Sequence, residues 1–227
     1  MRERVIVSVG GSLIVPEGID SAFLADFRAR ILSAVEQGFT FYIVTGGGKT
    51  ARRYIEAAHE VRGDLTPEDL DWLGIHATRL NGHLMRTLFE EQAYKRMVKN
   101  PSRDIESDEP IIVGAGWRPG FSTDYCAVAA AKMLGATRLV NLSNIDYVYD
   151  KHPKKYPDAK ALPKVSWKDF RGLIPAEWDP GLSSPFDPVA AKEAESLGLE
   201  VAVMNGARLS EFTNYLEGKD FKGTVIS

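Results

Sequence analysis

One cysteine, Cys126, is all that 227 residues provide. It excludes an internal disulfide and a cysteine-rich metal site, so a reducing compartment fits. No apolar run approaches the roughly 20 residues of a membrane-spanning helix, so no membrane partner is expected. The start is polar, with Arg2, Glu3 and Arg4, and glycines follow at 10 and 11. That stretch is too short and too soon broken for a secretory leader, and a cytoplasmic location is the expectation. Net positive charge is also missing: the formal balance is -3, which argues against a nucleic-acid partner. The four histidines lack zinc-ligand spacing to cysteine or acidic neighbours, so no protein-ligated metal is expected. Internal repeats and low-complexity tracts are absent too.

What is present is ordinary for a globular chain, with 44% hydrophobic and 26% charged residues. The length suits one large α/β domain or two closely joined lobes. Val5 to Val9 reads as a buried strand stopped by Gly10-Gly11-Ser12. Asp20 can cap a helix with Phe23, Leu24, Phe27, Ile31 and Val35 at helical spacing, ended by Gly38. Phe39 to Val44 is a second strand, followed by three glycines and a helix from Lys49 to Val61. Thr66-Pro67 opens a helix expected to carry Leu70, Leu73, Ala77, Leu80 and Leu84 on one face and to run past Leu88. Ile111 to Val113, Arg138 to Leu142 and Leu199 to Met204 read as strands. Thr123 to Leu134, a segment opened by Asp187-Pro188, and Leu209 to Leu216 read as helices. Residues 144–164 favour a hairpin or long loop, and Gly223 to Ile226 a closing edge strand. Alternating strands and helices predict a mainly parallel sheet covered on both faces, a three-layer α/β/α sandwich, with ligands beyond the carboxyl ends of the strands.

Two turns carry chemistry. Gly10-Gly11-Ser12 follows the first strand, and Thr45-Gly46-Gly47-Gly48-Lys49 follows the second and enters a helix. Residues without Cβ let backbone N–H groups converge on an anion, and the helix start adds partial positive charge. Arg52, one turn in, can reach a phosphate with its fork. Ordinary strand-to-helix joints favour glycine as well, but here two such turns occur within 50 residues. Gly48-Lys49-Thr50 imitates the end of a P-loop, yet the glycine required five residues earlier is Ile43, inside the strand, so that motif is rejected. From composition alone Asp71 is a solvated first-turn residue, Asp146 is as much a turn former as a catalyst, and Lys151, Lys154 and Lys155 are a solvated loop. Trp117 and Trp178 read as packing or interface residues.

Taken in order, VSVGGSLIVPE (7–17), IVTGGGKTARRYIEAA (43–58), DWLGIHATRLNGHLM (71–85), GAGWRPGFSTDYCAVAAAKMLGA (114–136), LSNIDYVYDKHPKKYPDAK (142–160), DPVAAKEAESLG (187–198) and GTVI (223–226) resemble the amino-acid-kinase superfamily. Within it they are most similar to the uridylate kinases of archaeal type. The resemblance implies one domain over residues 1–227, with an acceptor-binding part at about 1–136 and an ATP-binding part at about 137–227. It implies phosphoryl transfer from Mg²⁺-ATP to UMP, and a homohexamer built as a trimer of dimers. Gly46, Gly47 and Arg52 would hold the UMP phosphate, and Asp71 the ribose. Gly74 would allow close approach, with Thr78 one turn on. Phe121, Ser122, Thr123 and Asp124 would lie between the substrates, with Thr123 near the uracil or the transferring phosphate. Gly10, Gly11, Ser12, Ser143, Asn144, Tyr149 and His152 fall to ATP, and Asp146 and Asp187 to the reacting phosphates.

Ser8 stands where many members have a lysine, which moves the electrostatic work to Lys49 and Arg52. Tyr147 replaces a glycine and His152 an aspartate before the proline. A non-enzymatic nucleotide-binding or molybdate-storing homologue is an alternative. So is a kinase for fosfomycin or isopentenyl phosphate, although no histidine here sits in the motif of the latter.

Overall fold

A computed structural model describes residues 3–175 and 184–227; Trp178 lies outside the described residues. The chain runs β1 (Arg4–Val9), α1 (Gly11–Ile14), α2 (Ser21–Glu36), β2 (Thr40–Thr45), α3 (Gly48–Val61), α4 (Pro67–Phe89), β3 (Ile111–Gly114) and α5 (Thr123–Leu134). It continues with β4 (Arg138–Ser143), β5 (Lys164–Val165), α6 (Trp167–Leu173), α7 (Pro188–Leu197), β6 (Glu200–Asn205), α8 (Leu209–Leu216) and β7 (Gly223–Ile226).

The sheet has seven strands in the order β3-β2-β1-β4-β6-β7-β5. The five from β3 to β6 are parallel, and β7 runs antiparallel to β6. Central parallel strands are covered on both faces and so read as unbroken apolar runs, as β1 and β2 do. Alternate residues feed two cores. Val5, Val7 and Val9 face α2, α4 and α8, where Phe27, Phe89 and Phe212 gather. Ile6, Leu139 and Val201 face α5, α6 and α7, with Phe170 and Phe186. The product is a three-layer α/β/α sandwich.

The helices begin where local chemistry supplies a cap. Asp20 accepts from the Phe23 N–H at 2.9 Å. Thr66 and Asp69 exchange bonds in a capping box ahead of Pro67. The Ser122 hydroxyl accepts from Tyr125 N–H and the Asp187 carboxylate from Ala190 N–H.

Four features differ from the sequence expectation. The Gly10-Gly11-Ser12 turn tightens into a short helix, α1. Helix α6, which the residue pattern did not announce, is capped by Ser166 accepting from Asp169 N–H at 3.1 Å. Strand β7 is not an edge, because two-residue β5 pairs with its outer side. Helix α4 ends at Phe89 and buries Ile75, Ala77, Thr78, Asn81, Gly82, Met85 and Phe89, while Leu80 is 63% exposed. Ala77 of the expected face is buried and Leu84 packs against the core, but Leu80 points outward because the buried stripe also carries polar and small residues that hold the glycine turns.

Candidate active site

Chain direction reverses at the middle of the sheet: β2 and β3 lie to one side of β1, whereas β4, β6 and β7 lie to the other. Such a switch point opens a crevice beyond the strand ends, and the predicted residues collect there. Gly10 N–H donates to Leu142 O at 2.8 Å and Gly46 N–H to Val9 O at 2.9 Å, so the ends of β1, β2 and β4 are tied together. The two glycine turns touch. A Cβ on Gly11 would stand 2.0 Å from Gly48 N and 2.7 Å from Gly47 N, and one on Gly46 would stand 2.5 Å from Gly11 N. Gly48 also needs a left-handed backbone, φ +63°. Among the described residues the N–H groups of Gly11, Ser12, Gly47 and Gly48 have no protein acceptor. They form a nest of donors suited to an anion.

Helix α4 braces this nest. The Asn81 amide donates to Gly46 O at 2.8 Å and to Gly47 O at 3.3 Å. Thr45 donates its hydroxyl to Thr78 O at 3.0 Å. Of the two predicted cations, Lys49 pairs with Glu17 at 3.6 Å, whereas Arg52 is exposed and has no carboxylate partner among the described residues. The guanidinium nearest the nest in sequence is therefore available for a ligand.

A loop between β3 and α5 is pinned to α4. Asp71 accepts from Gly120 N–H at 2.8 Å, leaving its second oxygen for other partners. Thr78 donates to Ile75 O and accepts from Gly116 N–H, so its hydroxyl is occupied inside the loop support. Arg79 donates to the carbonyls of Gly116 and Trp117. Phe121 packs between Trp117 and Tyr125, with centroids 5.1 and 4.6 Å away, and Arg118 caps the Trp117 ring at 4.1 Å. Ser122 is the α5 cap, and Thr123 is its half-buried first residue. Gly74 faces open space, with its carbonyl beside Gly47.

Three elements meet at a second cluster. Asp124 accepts from the Ser8 hydroxyl at 3.3 Å and from Asp187 N–H at 3.2 Å. Asp187 is 6% exposed, its carboxylate capping α7. Burial, followed by the neighbouring Asp187 charge, pushes the Asp124 carboxyl up to about 7. Two carboxylates lie together with no cationic side chain paired to them among the described residues. That donor set suits a hard divalent ion shared with substrate phosphates. The resemblance places Asp124 between the substrates, but the residue pattern does not announce its contact with Asp187.

Asp146 lies elsewhere, at the end of β6. It accepts from Asn205 at 2.8 Å, from Arg208, and from Lys222 at 3.3 Å. The Asn205 amide and the two cations hold it below the usual carboxylate range. Asn205, Arg208 and Lys222 escape a reading of the sequence because three separate elements bring them together.

On the far side of Gly10 lies a cavity of about 360 Å³ lined by Ser143, Asn144, Tyr147, Tyr149, Lys151 and His152, with Pro153, Ile174 and Pro175 among its walls. Four residues assigned to ATP share this space. It opens from the nest, since a Cβ on Gly10 would lie 3.6 Å from Ser143 Cα. Thr224, fully buried, accepts from Val148 N–H and donates to Leu162 O, fixing the wall that carries the tyrosines. Cys126 is buried and its thiol pushed up to about 12, which removes it from the chemistry. No helix among the described residues is long and apolar enough to cross a membrane.

The model of the amino acid kinase family matches residues 3–205. The chain is 31% identical to the uridylate kinase of Sulfurisphaera tokodaii, over 98% of each chain. It is 35% identical to that of Methanocaldococcus jannaschii, over 98% of this chain and 99% of the relative. The crystal structure of uridylate kinase from Archaeoglobus fulgidus superposes with a TM-score of 0.84 at 28% identity, covering 98% of this chain and 99% of the other. A nest of glycine amides at the β1/β2 ends, a cavity near it and these full-length likenesses agree, and the chain belongs to the amino acid kinase family.

Proposed function

We propose that the protein is a UMP kinase, transferring the γ-phosphoryl group of ATP to the 5′-phosphate of UMP. The observation that carries this reading is the contact of Gly11 with Gly46 to Gly48, which puts donors from the turns after β1 and β2 at one point. Phosphoryl transfer asks for positioning and charge neutralisation, and an acceptor phosphate needs no strong base. A UMP phosphate oxygen forms the new bond to phosphorus as the bond to the β,γ-bridging oxygen breaks, giving UDP and ADP.

In this reading Gly46, Gly47 and Arg52 hold the acceptor phosphate. The open oxygen of Asp71 takes the ribose, and the Gly116 to Thr123 loop covers the base. Residues 1–136 form the acceptor part and residues 137–227 the donor part. Gly11 and Ser12 amides meet the transferring group, with Lys49 beside them, and Asp146 holds Arg208 and Lys222 toward the phosphates. Asp124 and Asp187 would hold Mg²⁺, which when bound neutralises charge on the donor phosphates. A cytoplasmic location suits these substrates.

Self-assembly belongs to the same reading. Helix α3 buries no residue and exposes Tyr54 (63%) and Val61 (89%), and α4, which packs against it, exposes Trp72 and Leu80. A second copy would cover this apolar face, as the first step toward the hexamer.

ADP release with ATP and each of UMP, CMP, AMP and dTMP tests the assignment. UMP is expected to be the best acceptor, and absence of turnover with all four would overturn it. Arg52→Met is expected to lower kcat/KM for UMP about 100-fold.

A further inference from the structure

We infer that Asn141 is a positioning residue for the divalent ion, holding the segment that carries Asp187 at a fixed distance from Asp124. The inference rests on the kinase reading and on the place given there to Mg²⁺.

Strand β4 has one polar residue inside its apolar run: Leu139, Val140, Asn141 and Leu142 are all buried. A buried amide in a central strand costs stability unless it is bonded, and an aliphatic side chain would serve the core better. Asn141 is the register partner of Ser8 on β1 and of Val203 on β6, on the sheet face turned to α5 and α7. Its amide donates to Pro185 O at 3.2 Å.

Pro185 stands two residues before Asp187. Between them Phe186 is fully buried against Trp167, with ring centroids 6.3 Å apart. Asp187 then turns its N–H to Asp124 at 3.2 Å and its carboxylate to Ala190 N–H at 2.8 Å. On the neighbouring strand the Ser8 hydroxyl donates to the other Asp124 oxygen at 3.3 Å.

Two adjacent residues of the sheet therefore grip the two ends of the acid pair. Ser8 holds Asp124, and Asn141 holds the backbone that leads into Asp187. Two carboxylates repel each other, and the Asn141 amide opposes their separation. A ligand carboxylate binds its ion well only when its own supports are in place. Removing such a support costs about 10- to 100-fold in metal affinity or activity.

The test is titration of Mn²⁺ alone into the nucleotide-free protein, with free Mn²⁺ read by electron paramagnetic resonance. Asn141→Leu keeps the volume and removes the donor, and its Mn²⁺ dissociation constant should rise about tenfold. Asn141→Gln keeps an amide and should bind Mn²⁺ at least about threefold better than Asn141→Leu. UMP affinity, read by calorimetry, should stay within about threefold of wild type, because Asn81 and not Asn141 braces the turn that holds its phosphate. In UDP formation the loss should appear as a raised Mg²⁺ requirement, with kcat returning at saturating Mg²⁺.

An Mn²⁺ affinity unchanged in Asn141→Leu, Mn²⁺ and UMP affinities falling together, or no Mn²⁺ binding by wild type would overturn the inference. Should Asn141→Leu fail to fold, Asn141→Ser, whose shorter hydroxyl withdraws from Pro185 O, is held to the same outcomes. If Mn²⁺ binding responds as described but no acceptor yields UDP, the kinase reading fails while the acid pair and its tether stand.

Discussion

At Gly11 the absence of a single methyl group decides whether β1 and β2 can end at the same point. A Cβ there would press to 2.0 Å on Gly48 N, which is backbone and cannot swing aside. Gly11→Ala is expected to cost about 1–3 kcal/mol or more, read as a lower urea midpoint, and to abolish transfer. Asp124 makes the opposite kind of demand, since it is a carboxyl whose charge the fold resists. Its folded value, about 7, lies above the ordinary 3.8. The native state therefore holds a proton that the unfolded chain has released, and this stability is complete below the ordinary value and lost as pH rises through 7. The melting temperature of metal-free protein should fall between about pH 4 and about pH 7, and Asp124→Asn should flatten that slope. A slope unchanged in the variant would place the titration elsewhere. The glycines announce themselves in the sequence because nothing else tolerates such an approach. The shift of Asp124 does not, because it arises first from burial and then from the charge of Asp187, 63 residues away in the chain.

Helix α4 shows where patterns of apolar residues mislead. Its buried stripe includes Thr78, Asn81 and Gly82, and each supports the site. Thr78 holds Gly116, Asn81 holds the Gly46 and Gly47 carbonyls, and a Cβ on Gly82 would meet Met97 Sδ at 2.7 Å. A helix that braces such a site buries polarity, and here Leu80 is displaced outward while Leu84 and Leu88 still pack on the core. Asn81→Ala should destabilise by about 1–3 kcal/mol and raise KM for UMP, because two turn carbonyls lose their donor. Denaturant unfolding and UMP titration would check both. Capped helices are legible where the cap precedes an obvious apolar run, as at Asp20, Thr66 and Asp187. Helix α6 has its cap, Ser166, but lies beside a proline- and lysine-rich loop with only Trp167 and Phe170 buried, too short a period to register. Strand β7 reads as an edge only because β5, two residues long, leaves no trace in the pattern.

For the molecule as a whole, the reversal between β1 and β4 sets the crevice, and the alternation of strands with helices foretells it. The outer surface is harder to read, since Tyr54 and Leu80 sit in helices that look as amphipathic as any other. Tyr54→Glu combined with Leu80→Glu should reduce the light-scattering mass to that of one chain, and the wild-type melting temperature should rise with protein concentration. A single-chain mass in the wild type would refute the assembly.

Thr224 has a temporal meaning. The strand that anchors the tyrosine wall is the last in the sheet to be synthesised, whereas β1, β2 and β3 are complete by residue 114. The strands that carry both glycine turns therefore emerge from the ribosome well before the residue that clasps the tyrosine wall.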